Sequence, residues 1–342
     1  MRFIKRLFFV LCFIISLAYF NCFVHADTIN TLSNTLWESK FGDSEYSYYN
    51  RAVFFSPKDS GLFIAGEYTT SVKGVPTVTE GLWVWKINAS GEKVIDLKLK
   101  NPADDADKYS RVEAMAITAG EDIILIVKLR SGQTNLLKLN LAGEVVLSKE
   151  LKPERDISKI IPTIDNNFLL IGHEKFDTLV MKINANGETL WEKINDRGKD
   201  DMFVDGLATE DGGFILIENS GKSAQFFLAT SDMWVTKYDS NGVKITEKTF
   251  SGRNGSIALG KDGNYATAYD KSGTAKQDIW IKAIDKNLNE KWETNITSTD
   301  FGLESFKIGS LTNGDYIVAG PIMLRPWISY IDSAGVKKMG FS

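Results

Sequence analysis

One unit recurs along the chain and limits its fold more than any other feature. The cleanest copy spans residues 181–194, Met-Lys-Ile-Asn-Ala-Asn-Gly-Glu-Thr-Leu-Trp-Glu-Lys-Ile. An apolar run ends in Lys-Ile-Asn, turns at Asn186-Gly187 and leaves in a second run carrying Trp191. The lysine position recurs as Lys86, Lys138, Lys182, Lys237, Lys282 and Tyr330. Five residues on stand Gly91, Gly143, Gly187, Gly242, Asn287 and Gly335. Intervals of 52, 44, 55, 45 and 48 residues, each with several short apolar runs, indicate propeller blades rather than a helical solenoid. After the N-terminal segment no stretch sustains a helical period, so the expected class is all-β.

Each unit carries a second turn upstream: Asp59-Ser60-Gly61, Gly120-Glu121-Asp122, Asp165-Asn166-Asn167, Asp211-Gly212-Gly213, Asp262-Gly263-Asn264 and Asn313-Gly314-Asp315. Asp, Asn and Gly suit tight hairpins because they tolerate left-handed backbone angles. An apolar run precedes each turn (strand A) and another follows it (strand B). Strand C ends in Lys-Ile-Asn or a variant, and strand D carries the tryptophan or an aliphatic residue. The expected architecture is a six-bladed β-propeller of four-stranded antiparallel blades, with seven blades as the alternative. An extra D-like strand over 36–41, carrying Trp37, is expected to join the last blade and close the ring. Residues 336–341 resemble strand D as well and compete for that edge.

The first residues, Met-Arg-Phe-Ile-Lys-Arg, precede an apolar run over 7–20 and a small-x-small exit at Val24-His25-Ala26. This reads as a secretory signal peptide over 1–26, leaving a propeller domain over 27–342 that is secreted, periplasmic or otherwise extracytoplasmic. An uncleaved anchor is the competing reading. Cys22 lacks the aliphatic and small neighbours of a lipobox. Both cysteines, Cys12 and Cys22, fall in the removed segment. Disulfides, thiolate metal sites and thiol nucleophiles are thereby excluded from the mature chain. That chain keeps 37 basic and 44 acidic residues, a net charge of −7, and one histidine, His173. A mildly acidic export product without a basic block is a poor nucleic-acid or anionic-membrane binder. No span after cleavage is expected, and the protein is expected to be a monomer.

With the repeat laid out, the chain resembles bacterial exported β-propellers built from Trp-Val-x-Lys-Leu-Asp-x-x-Gly-x-x-x-Trp units, near the quinoprotein-like (PQQ-like) superfamily. Residues 83–88, 180–191, 234–239 and 280–292 carry the resemblance. It implies the fold and leaves the activity open, because such propellers include scaffolds, sensors and enzymes. The vicinal disulfide of quinoprotein dehydrogenases is impossible here. The turn at Asn184-Ala185-Asn186-Gly187 departs from a sialidase Asp-box by one residue before its Trp.

Alternating strand direction puts the A–B and C–D turns on one face and the B–C and D–A loops on the other. The first face is uniform; the second holds nearly all the irregular sequence, where binding residues concentrate. Its candidate ligand-binding residues are Asp43, Tyr46, Tyr48, Asp104, Asp107, Tyr109, Asp200, Asp201, Phe226, Asp300 and Glu304. Carboxylates and aromatic rings suit a sugar or Ca2+, or simply keep an exported protein soluble. No catalytic set, dedicated metal-ligand set or cofactor is expected; Ca2+ is the cation such a mouth could take. His173 is expected at the rim, and Trp85, Trp191, Trp234, Trp280 and Trp292 in packing between blades. The leading expectation is a non-enzymatic propeller binding a partner protein or glycan. A carbohydrate-active hydrolase using mouth carboxylates and a cell-envelope assembly factor are the alternatives.

Overall fold

The computed structural model describes residues 41–42, 46–56, 58–70, 78–104, 107–153, 155–198, 200–221, 232–271, 279–296, 306–311, 313–322 and 325–341. The signal segment, Trp37, Asp43, Phe226, Asp300 and Glu304 lie outside them. Among the described residues the fold is all-β, with one 3-10 turn at Lys261–Gly263. No helix there is long and apolar enough to cross a membrane.

Four antiparallel sheets have four strands each, in chain order. The first holds β1 (Tyr46–Phe55), β2 (Leu62–Thr70), β3 (Thr79–Ile87) and β4 (Lys93–Lys100). The second holds β5 (Tyr109–Ile117), β6 (Ile123–Leu129), β7 (Thr134–Leu139) and β8 (Val145–Glu150). The third holds β9 (Arg155–Pro162), β10 (Phe168–Glu174), β11 (Asp177–Ile183) and β12 (Thr189–Asn195). The last holds β20 (Lys307–Ser310), β21 (Tyr316–Ile322), β22 (Arg325–Ile331) and β23 (Lys337–Phe341). Between them lies a seven-stranded sheet: β13 (Asp200–Ala208), β14 (Phe214–Gly221), β15 (Asp232–Tyr238), β16 (Lys244–Leu259), β17 (Tyr265–Lys271), β18 (Ile279–Ile284) and β19 (Glu290–Ile296). Separate sheets were expected here. The 16-residue β16 instead pairs with β15 through its first half and with β17 through its second, because the chain stays extended across Ser251-Gly252.

The sheets are set side by side in a propeller arrangement. The inner strands β1, β5, β9, β13, the second half of β16 and β20 adjoin one another in sequence. Each gap between neighbouring sheets is filled by apolar side chains from both. Phe63, Leu82 and Val84 meet Val112, Leu125 and Val127 in the first gap, and Ala268, Ile281 and Ile296 meet Phe306, Val318 and Trp327 in the last. Middle strands covered on both faces therefore read as continuous apolar runs, as in Ile123-Ile124-Leu125-Ile126 of β6. Outer strands alternate: β4, β8 and β12 show exposed residues at every second position.

The fourth place of the last sheet is held by β23, paired along β22. Phe41 lies against Trp85 of the first sheet, ring centroids 5.8 Å apart. The two end sheets carry separate apolar clusters on their remaining faces, Tyr68, Trp83 and Trp85 on the first and Ile317 and Ala319 on the last.

Candidate functional site

The face of A–B and C–D turns is saturated by its own side chains. In each C–D turn one Oδ1 accepts two backbone N–H groups, two and four residues on, at 2.8–3.0 Å: Asn88, Asn140, Asn184, Asp239, Asp285 and Asp332. The repeat lysine then ties strand C to the A–B turn of its own unit. Lys86 reaches Asp59 at 2.7 Å, Lys138 Asp122 at 3.0 Å, Lys182 Asp165 at 2.7 Å and Lys237 Asp211 at 2.7 Å. Lys86 also holds Glu121 of the next unit at 2.9 Å, and Lys182 donates to the Ser240 carbonyl of the next C–D turn at 3.1 Å. In the last unit the Tyr330 hydroxyl donates to Asp315 instead.

The fifth unit corrects the alignment by one residue. Strand pairing sets Ile284 opposite Tyr265 as Ile87 is set opposite Leu62, so Ala283, not Lys282, matches Lys86. A one-residue shift on a strand reverses the face, and Lys282 accordingly pairs with Glu290 and Glu293 of its neighbouring strand. Leu288, not Asn287, takes the left-handed place held elsewhere by glycine, with φ 64°.

The opposite face is different in kind. Between the third sheet and β13, Asp177, Asp196 and Asp201 bring carboxylate oxygens within 4.8 Å of one another. Asp177 opens β11 after the Lys175-Phe176 turn, Asp196 follows β12, and Asp201 lies near the start of β13. The Asp201 N–H donates to the Phe176 carbonyl at 2.8 Å, and Thr178 Oγ1 donates to the Asp201 carbonyl at 3.1 Å. These bonds lock the two loops together. Burial, then the charges of Asp196, Asp201 and Asp200, push the Asp177 carboxyl above the usual range. Arg197 lies next to the trio: its Nη1 stands 3.8 Å from Asp201 Oδ1, while its Nη2 donates to Glu218 at 2.8 Å and Glu247 at 3.0 Å. Burial opposes its charge; those two carboxylates outweigh burial and keep it protonated.

Toward the axis, Asp205 joins four inner strands. It accepts from Lys159 of β9, from the Gly206 N–H at 2.9 Å, from Ser256 Oγ at 2.9 Å and from the Ile257 N–H at 3.2 Å, with Lys307 of β20 at 3.4 Å. Burial of this carboxyl favours protonation, but the two ammonium groups outweigh it and hold the acid far below its usual range. Between the second and third sheets a cleft of about 160 Å³ includes Arg155, whose guanidinium is bound by Glu174 and Glu192. The charges there are internally matched.

The structure separates the expected site residues. Tyr46 and Tyr48 lie within β1 rather than a loop, and their rings pack on Tyr68, Trp83 and Trp85. Tyr109 starts β5 and packs against the core between the first two sheets. Asp104 and Asp107 are exposed between β4 and β5. Asp200 is half-buried and Asp201 fully buried, so the neighbours point apart. Of the expected set only Asp201 enters the trio; Asp177 and Asp196 were not among the candidates, and Asp205 was missed altogether. The one signal for Asp205 is a charge inside the apolar run Val204-Asp205-Gly206-Leu207. His173 is half-buried in β10, its Nε2 accepting the Phe203 N–H at 3.0 Å. Trp191 and Trp292 pack on the next unit, against Gly242 and Gly335, whereas Trp85 stays within its own sheet against Tyr48 and Trp83.

No family model and no curated protein matches the chain. Solved structures do. A Lactobacillus plantarum protein superposes with a TM-score of 0.56 at 13% identity, covering 85% of this chain and 83% of that one. The Pan2 WD40 domain of Neurospora crassa gives 0.53 at 12%, covering 83% and 75%. A catalytically inactive virginiamycin B lyase from Staphylococcus aureus, with quinupristin, gives 0.50 at 11%, covering 86% and 87%. At such identities the likeness carries the fold and no activity: the chain is a β-propeller.

Proposed function

We propose that the protein is an exported, non-enzymatic propeller of six blades that binds a partner protein or glycan through the face of B–C and D–A loops. The observation that carries the reading is the contrast between the two faces. On the A–B/C–D face the repeat residues direct their hydrogen bonds and charges at one another. On the other face a trio of carboxylates, Asp177, Asp196 and Asp201, stands together with Asp196 exposed. A polar surface that satisfies itself gives a ligand little to replace, whereas neighbouring like charges gain from a ligand that donates hydrogen bonds to them. The six-blade count follows from reading the seven-stranded sheet as two four-stranded units that share β16. No specific observation favours the hydrolase or assembly-factor alternatives.

The test is a glycan array and a panel of exported proteins probed with purified protein, compared across two charge-reversed variants. Asp104→Lys with Asp107→Lys alters the loop face, and Asn186→Lys with Glu188→Lys alters the turn face. Binding lost only in the first pair supports the reading. Binding lost only in the second refutes it.

A further inference from the structure

We infer that Lys159 and Lys307 form an anion site at the axis of the propeller, which takes a carboxylate group between their two ammonium groups. Strand register places the site. Lys159, Asp205, Ser256 and Lys307 each stand opposite the fourth residue of the strand that follows, so one level of four inner strands carries four polar side chains. In β1 and β5 the same place is held by Ala52 and Ala114. A β-bulge immediately precedes this place in β1, β5, β9, β13 and β16, and bulges re-aim the side chains beside them.

The charges at this level do not balance. Two ammonium groups face one carboxylate, and that carboxylate is saturated. Asp205 Oδ1 accepts from Lys159 and the Gly206 N–H, and Oδ2 from Ser256 Oγ and the Ile257 N–H besides Lys307. Lys159 Nζ spends two of its three donors, on Asp205 and on the Gly206 carbonyl at 2.7 Å, and Lys307 Nζ spends one, on Asp205 at 3.4 Å. The remaining donors have no protein acceptor among the described residues. The alanines of β1 and β5 supply no counterion, and the charged residues just before them, Arg51 and Glu113, pair with Glu67 and Arg111. Both lysine side chains meet solvent, Lys159 36% exposed and Lys307 30%. Even so, burial, with the charge of Lys307 added to it, pushes the Lys159 amine below its usual range in spite of Asp205. An amine that meets water yet is penalised by its surroundings lies at the floor of an opening rather than on an outer surface. A carboxylate fits the deficit: it brings the one negative charge this level lacks and two oxygens, one for each ammonium. A phosphate group carries more charge than the level can match.

The inference does not rest on the partner-binding reading, since small acids are measured with no partner present. Thermal unfolding and titration calorimetry near neutral pH are run with sodium acetate, a free acid, and sodium glucuronate, an acidic sugar. NaCl, phosphate and glucose serve as comparisons, and the proteins are the parent, Lys307→Gln and Lys307→Arg. At about 20 mM, at least one carboxylate is expected to raise the parent's Tm by about 2 °C or more beyond NaCl of equal ionic strength. The tighter of the two identifies the source as a free acid or an acidic sugar. Lys307→Gln should bind it at least about tenfold more weakly, while Lys307→Arg, which keeps the charge, retains binding. Lysine methylation mapped by mass spectrometry reads the location: the carboxylate should slow labelling of Lys159 and Lys307 above that of other lysines. This measurement on the parent decides the matter even if Lys307→Gln does not fold. No Tm rise beyond NaCl, tighter binding of phosphate, parent-like affinity in Lys307→Gln, or no protection of the two lysines each overturns the inference.

Discussion

At the scale of single residues, the repeat is built on side-chain oxygens that close turns. Asn and Asp serve equally in the C–D turn because both present an Oδ1 to the same two N–H groups. Asn184→Ala is expected to cost about 1 kcal/mol and Asn184→Asp close to nothing, measured by urea unfolding. The A–B turn acids add a pH dependence. Hydrogen bonds from Lys237 first and Thr209 second hold the Asp211 carboxyl down to about 2. Its folded pKa is thus below the unfolded value of about 3.9. The stability it contributes is complete above pH ~4 and lost as pH falls toward ~2. Asp211 is more than half exposed, which limits the contribution to under about 1 kcal/mol. Asp211→Asn should therefore flatten the acid limb of a stability–pH profile and do little at neutral pH. Leu288 shows two effects opposed. Left-handed geometry costs a leucine about 1–2 kcal/mol, but its side chain is only 1% exposed, and full burial returns about 1.5–3 kcal/mol. Burial wins, so Leu288→Gly is expected to destabilise the protein despite relieving the backbone.

At the scale of strands, the repeat lysine is a staple rather than a mere alignment mark. The Lys182 side chain is 5% exposed and joins Asp165 to the Ser240 carbonyl across two units. Lys182→Ala should cost about 1–3 kcal/mol, since it leaves a half-buried network unpaired. Lys282→Ala should cost less, because its shifted register ties it to the outer-strand acid Glu290, largely exposed, to Glu293, which keeps Lys271, and to the face of the Phe250 ring, with no bond across to the A–B turn of its unit among the described residues. Comparing the two denaturation midpoints checks the register reading directly. The tryptophans of the outer strands act between units. Trp292 lies over Gly335 and donates its indole N–H to the Ser333 carbonyl at 3.0 Å. Trp292→Ala should cost about 2 kcal/mol, below the figure for a fully buried tryptophan because the ring is partly exposed. Six sequence copies made this hairpin legible; the off-by-one in the fifth was not, because Lys282-Ala283 and Lys86-Ile87 look alike until pairing sets the face.

At the scale of the whole molecule, the inner strands converge on Asp205. Its carboxylate gathers Lys159, Ser256 and Lys307 from strands 46, 51 and 102 residues away in sequence. Removing it leaves two ammonium groups facing each other, both partly exposed. Asp205→Ala is accordingly expected to cost about 3 kcal/mol, at the low end for a buried ion pair, and Asp205→Asn less. Chemical unfolding of both variants checks this.

By itself the sequence determined the class, the antiparallel four-strand unit and the uniform face of turns, because those depend on local signals: period-two burial, Asx and glycine turns, and a repeat of about fifty residues. Only the tertiary structure decided which charges meet. Asp177 is separated from Asp196 by a whole hairpin, Asp205 from Lys307 by the rest of the seven-stranded sheet, and no local pattern encodes such encounters. They arise where neighbouring sheets press their loops and inner strands together, and that is also where the merged β16 and the ion pair of Arg197 with the buried Asp201 are found.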